Sequence, residues 1–294
     1  MYRSLLVSIN ALCVSIVWAQ SPTQNKLSVH WEELTAADFR DGISRAQGTC
    51  LLPFGILEKH GPHLPLGNDL LNVRYAALNA AQQEYAIVFP EYYFGQIFEA
   101  KHQPGTVAYS RGLELQLLQT TDEMARNGCK KVIIVNGHGG NNSLLPYFAQ
   151  SQLETPHDYV VYVLGITRSG PGEPKHKSDP ATDMHAGESE TSMSMIARPD
   201  LVHLDRAPQE SGADQARLKG LPEGLYAGIW WYARFPNHYA GEGAAATREL
   251  GEFEAKTWIN GIVQAIRAVK ADQQSLRLQN EFYERSKHPL ETPQ

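Results

Sequence analysis

Short apolar runs alternate with helical patterns from residue 50 to about residue 200 of this 294-residue chain, and that alternation restricts the fold more than any other feature. Residues 51–57 are a continuous apolar run containing Pro53 and Gly55, which suits a strand buried on both faces. Residues 69–83 carry Leu70, Val73, Ala77 and Ala81 at helical spacing, opened by Asn68 or Asp69. Residues 86–89 read as a short strand ended by Pro90, 132–135 as a third strand and 159–164 as a fourth. Between them lie helices over 113–127, with Ser110 as the cap and Gly128 as the stop, and near 142–153. Thr35 is placed to cap a helix over 36–46, and further helices are expected over 188–197 and 248–269. Strands that alternate with helices predict an α/β fold with a mostly parallel sheet covered on both faces. In such a sheet, ligand-binding groups gather beyond the carboxyl ends of the strands.

The flanks read differently. Residues 1–19 hold one charge, Arg3, then an interrupted apolar stretch, then Val17-Trp18-Ala19 in the form a signal peptidase accepts. The stretch is short for a membrane span, which needs about 20 residues. A lipoprotein reading of Cys13 is disfavoured by Leu12 before it, where a small residue is expected. The expectation is a cleaved signal peptide, a periplasmic or secreted protein, and no membrane contact afterwards. Residues 20–30 then form a loose arm, 31–275 a single domain and 276–294 a polar C-terminal tail. Removal of Arg3 leaves 25 basic residues against 32 acidic ones. With no basic stripe, nucleic acid is excluded as a partner. Two cysteines remain, Cys50 and Cys129, each just before an expected strand. If those strands are parallel neighbours the sulfurs could come close; the alternative is two unpaired thiols.

Glu, Asp and His concentrate in a few short segments. The first is Glu58-Lys59-His60-Gly61-Pro62-His63-Leu64-Pro65, reaching on to Asp69. Glu58 and His60 are two apart after a strand, so in extended geometry they point to one side. Asp69 stands at a helix start, where a carboxylate can accept backbone hydrogen bonds and still offer an oxygen to a cation. The second segment is Asn136-Gly137-His138-Gly139-Gly140-Asn141, whose glycines let the backbone pass close to a bound group. The third runs from Asp183 through His185, Glu188 and Glu190 to Thr191. Glu, His and Asp suit zinc, manganese or iron(II). Rival chemistries fit less well. The Gly137–Asn141 turn lacks the Lys-Ser/Thr ending of a phosphate loop, and the chain has no Gly-x-Ser-x-Gly.

These motifs, Glu58-x-His60-Gly61-x-His63-Leu64-Pro65 with Asp69, then Asn136 to Asn141, then His185-Ala186-Gly187-x-x-Glu190-Thr191-Ser192, resemble those of the creatininase (creatinine amidohydrolase) family over roughly residues 48–200. The resemblance implies a three-layer α/β/α fold, one or two divalent metal ions per chain and a homo-oligomer, often a hexamer. It implies that Glu58 and His138 each hold one metal, that His60 binds the other and that Asp69 bridges them. Creatininase itself has a ligand Glu two residues beyond its equivalent of His138. Here that position is Gly140, and Glu190 is expected to supply the missing carboxylate. His185 matches the family's proton-transfer histidine, with Glu190 beside it.

Other departures concern the substrate. Ala181 stands where creatininase has a Trp, and Ala100 and Gln103 replace the His and Phe of a His-x-x-Phe-Pro-Gly-Thr motif. Creatinine is therefore not the expected substrate. The expected activity is hydrolysis of an amide-type C–N bond in a small molecule, such as a cyclic amide, a formamide or a short peptide. Two cations about 3.5–4 Å apart would activate the water. The alternatives are a non-catalytic exported metal-binding protein on the same fold, or a peptidase or lactonase variant. Trp230, Trp231 and Tyr232 fall in an aperiodic region, 205–246, that either walls the pocket or packs in the core.

Overall fold

The computed structural model describes residues 27–222 and 224–291. The expected signal peptide at 1–19, and residues 20–26 of the expected arm, lie outside them. Residues 27–30 are packed: Val29 is buried and its carbonyl accepts the Val88 amide at 2.7 Å.

The run around Leu51 forms β1 (Thr49–Phe54), buried at every position. It is preceded by α1 (Ala36–Arg45), which Thr35 caps by accepting the Asp38 amide at 3.2 Å. There follow α2 (Asn68–Gln83), β2 (Ile87–Val88), α3 (Leu113–Arg126), β3 (Lys131–Asn136), α4 (Leu144–Ser151), β4 (Val160–Leu164), α5 (Glu188–Ala197), α6 (Trp230–Arg234), α7 (Arg248–Ala271) and α8 (Ser275–Ser286). The four strands pair in the order β2-β1-β3-β4, every pair parallel, as the alternation predicted. Parallel crossovers are right-handed, so α2 lies on one sheet face and α3 and α4 on the other. Helices α5 and α7 pack with α2, completing three layers.

Two expectations need correction. Ser110 does not cap α3. Gly112 occupies the cap position, and the Ser110 carbonyl accepts the Leu113 amide at 3.2 Å, so Ser110 shapes the preceding turn. The segment expected as a polar tail is helical to Ser286 and docked. Asp272 accepts the Gln274 and Ser275 amides and starts α8, and the buried Tyr283 hydroxyl donates to the Gln152 carbonyl at 2.8 Å. One buried aromatic on a polar helix leaves too faint a periodicity to read.

From β1 the chain leaves for β2 on one side, then returns to β3 on the other. The carboxyl ends of β1 and β3 therefore flank a topological switch point, where α/β sheets open a crevice. Cys50 and Cys129 form a disulfide at the opposite end of these strands, with Cα atoms 5.6 Å apart. Cys50 pairs with Val132 in the β1–β3 register, which brings Cys129, just before β3, alongside. Among the described residues, no helix is long and apolar enough to cross a membrane.

Glu254 on α7 is a buried carboxyl whose Oε2 has no hydrogen-bond partner among the described residues. Burial pushes its pKa up to about 7, against the pull of Arg168.

The crosslink spans 79 residues, so replacing Cys50 and Cys129 by Ala should lower unfolding free energy by about 2–4 kcal/mol in a denaturant titration. Glu254 binds its proton more tightly in the folded than in the unfolded chain. Stability should therefore fall as pH rises from the unfolded value near 4.5 through about 7. Glu254→Gln should remove that fall, gaining up to about 3 kcal/mol over the parent at pH 8. Parallel pH–stability curves for parent and variant would contradict this.

Candidate metal centre

All six residues singled out in the sequence meet at the switch point. Glu58 and His60 follow β1, Asp69 opens α2, His138 follows β3, and His185 and Glu190 frame the start of α5. Close approach is possible because residue 137 is glycine: a Cβ there would sit 2.7 Å from Val73 Cβ and 2.9 Å from the Asp69 carbonyl oxygen.

The ring nitrogens show how the cluster is set. His60 Nδ1 donates to the Glu58 carbonyl at 3.2 Å, His138 Nε2 to the Gln96 carbonyl at 3.0 Å, and His185 Nε2 to the Lys59 carbonyl at 2.8 Å. A carbonyl only accepts, so each neutral ring turns a lone pair inward, at His60 Nε2, His138 Nδ1 and His185 Nδ1. Those lone pairs face carboxylates. His60 Nε2 is 3.0 Å from Asp69 Oδ1, and His138 Nδ1 is 2.9 Å from both Asp69 Oδ2 and Glu58 Oε1. Glu190 Oε2 lies 3.8 Å from His60 Nε2 and from His185 Nδ1. Lone pair opposite lone pair is repulsive unless something positive lies between.

The electrostatics point the same way. Burial pushes the His60 pKa down, but Asp69, Glu58 and Glu190 outweigh it and raise it to about 9. His138 is likewise lifted well above its usual value, against burial, by Glu58 and Asp69. Asp69 is held well below the carboxylate range by both histidines despite its burial. Burial drives His185 down to about 4.

This donor set fits divalent cations. Imidazole and carboxylate suit zinc, manganese or iron, and metal-binding histidines usually donate their other N–H to a carbonyl or carboxylate. Glu58 Oε1 is buried with no hydrogen-bond partner among the described residues. The arrangement divides in two: Glu58, His138 and Asp69 Oδ2 on one side, His60, Glu190 and Asp69 Oδ1 on the other. Asn141 completes the second motif, since its Oδ1 accepts the Gln96 amide at 3.2 Å and so places the carbonyl that orients His138.

A cavity of about 410 Å³ opens onto the cluster, bounded by His138, Arg168, His185, Glu190, Trp230 and Trp231. The two indoles thus form pocket wall. Tyr232 lies further out, its ring against His102. His63 and His102 are not in the cluster: His63 Nε2 bonds Thr191 Oγ1 at 2.8 Å, and His102 Nε2 bonds the Pro236 carbonyl. Glu188 is neither a partner of His185 nor solvated; it is buried and accepts from the Lys177 and Ser178 amides, tying that loop to α5. Sequence reasoning missed Arg168 and His238. His238 contacts Glu58 and donor-capable Trp231 directly. The only cue was a histidine near the Trp230-Trp231 pair in a region without periodicity.

The creatinine amidohydrolase family model matches residues 32–266. The chain belongs to the creatininase family. It is 26% identical to creatinine amidohydrolase of Pseudomonas putida over 82% of this chain and 96% of that protein. It is 28% identical to the mycofactocin precursor peptide peptidase of Mycolicibacterium smegmatis over 77% of this chain and 87% of that protein. A Zn-Zn type creatininase mutant structure superposes with a TM-score of 0.69 at 24% identity, covering 83% of this chain and 99% of that one.

Within this creatininase-family chain, Gly140 has a steric reason. A Cβ there would lie 2.3 Å from His138 Nε2 and 2.9 Å from Gln96 Oε1. The His138 ring and the side-chain amide of Gln96 fill the space a side chain at 140 would need. Gly140→Ala should therefore displace His138 and weaken metal retention about tenfold, on the scale seen when a metal ligand's supporting contact is lost. Metal content after dialysis against graded chelator checks this; retention equal to the parent's would contradict it.

Proposed function

We propose that this protein is an exported, metal-dependent hydrolase of amide-type C–N bonds that works with two divalent cations. The observation that carries the reading is the pair of carbonyl-anchored histidines, His60 and His138, whose lone pairs face the two oxygens of one carboxylate, Asp69. Glu58 and His138 would hold one zinc, manganese or iron ion, His60 and Glu190 the other, with Asp69 between. Bound there, such ions supply Lewis-acid polarisation of the scissile carbonyl and a more acidic water.

The remaining work falls to side chains. His185 is neutral near pH 7 because burial depresses its pKa, and the Lys59 carbonyl fixes its proton on Nε2. Its Nδ1 is then free to take a proton from the attacking water and return it to the leaving nitrogen. The C–N bond breaks as the C–O bond forms, giving a carboxylic acid and an amine. Trp230 and Trp231 exclude water and offer flat apolar faces, and the cavity suits a small substrate. Relatives that act on creatinine and on a precursor peptide support an amide of this kind without selecting one.

Export is supported by the residue 1–19 pattern and by a disulfide, which persists in oxidising compartments. The exposed apolar side chains Leu221, Leu225, Tyr226 and Ile229 support a homo-oligomer, with a hexamer the form the family suggests.

Glu58→Ala and His138→Ala should each lose bound metal and all activity in a screen of cyclic amides, formamides and short peptides. His185→Ala should keep its metal while kcat falls by about 10²-fold or more. Full metal occupancy in both Glu58→Ala and His138→Ala refutes the ligand assignment. Full activity in His185→Ala refutes the proton transfer.

A further inference from the structure

Of the four imidazoles in the cluster, His238 is oriented in the opposite sense. His60, His138 and His185 each spend their N–H on a backbone carbonyl and turn a lone pair inward. His238 Nδ1 instead faces Trp231 Nε1 at 2.8 Å. An indole N–H can only donate, so Nδ1 is the acceptor and the ring proton of neutral His238 sits on Nε2. That Nε2 points at Glu58 Oε2. Metal-ligand spacing alone would group His238 with Glu58 and His185 as ligands. The hydrogen-bond chemistry does not allow it, because a nitrogen bearing a proton has no lone pair for a cation.

We infer that Trp231 and His238 form a tautomer-locking relay that positions Glu58: the indole N–H holds His238 as a donor, and His238 clamps one oxygen of the carboxylate so that the other is presented to the cation. His238 is thus a positioning residue. The clamped oxygen is Oε2, and the free one is Oε1, which faces the His138 lone pair and has no hydrogen-bond partner among the described residues. The relay is rigid at both ends. His238 is 2% exposed and sits in the left-handed backbone region at φ +56°, its amide bonded to the Phe235 carbonyl at 3.0 Å. The left-handed conformation is tolerated by His more readily than by a branched residue. Trp231 belongs to α6 and lines the cavity, so the wall that contacts substrate also orders a metal ligand.

The inference rests on the metal-site reading proposed above, and its test separates the two. Zinc affinity is measured by chelator competition on wild type, His238→Ala, His238→Gln and Trp231→Phe, with thermal unfolding of each metal-free protein as the folding control. Wild type should bind zinc, and His238→Ala should bind it 10- to 100-fold more weakly. His238→Gln, whose amide nitrogen can donate to Glu58, should recover most of the loss. Trp231→Phe should fall between. Nitrogen NMR of imidazole-labelled protein should show His238 protonated on Nε2 in the wild type, with the Nδ1–H form appearing in Trp231→Phe. Unchanged affinity in His238→Ala, no recovery in His238→Gln, or an Nδ1–H ring in the wild type overturns the relay while leaving the metal site standing. A wild-type protein that binds no zinc, manganese or iron overturns both.

Discussion

Negative charge crowded into a buried crevice is what the rest of this site answers to. Glu58 and Asp69 are almost wholly buried and Glu190 largely so, and each faces ring nitrogens that already give their protons to backbone carbonyls. Buried carboxylates of this kind are costly unless paired. The lifted pKa values of His60 and His138 and the depressed one of Asp69 express the same demand for positive charge. The fold meets it with geometry rather than with Lys: the cluster sits where β1 and β3 diverge, so loops from two strands and the start of α2 converge on one volume.

That convergence explains which features were legible in the sequence. The strands could be read because β1 is buried along its whole length, and a strand with no solvent face is apolar without alternation. Glu58, His60, Asp69, His138, His185 and Glu190 could be read because each lies near a strand end or a helix start, where short motifs survive as contiguous letters. The resemblance to a family then assigned them roles that no single motif could.

What escaped notice escaped for physical reasons. His238 and Arg168 reach the crevice from segments without helical or strand period, so no pattern announces which way they point. The α8 helix was invisible because its anchorage depends on one buried tyrosine and on capping by Asp272. Glu188 stands in the third acidic segment, but its carboxylate is buried because the loop just before it folds back and donates the Lys177 and Ser178 amides, which only the tertiary structure specifies.

The covalent bond at the far end of the sheet bears on all of this. Cys50 and Cys129 staple together the same two strands whose tips carry Glu58, His60 and His138. A strand that slid against its neighbour would move in steps of about 3.3 Å per residue, more than a coordination bond can absorb. With its base riveted, the pair can sway but cannot shift register, and the spacing of the groups above is inherited from a fixed origin.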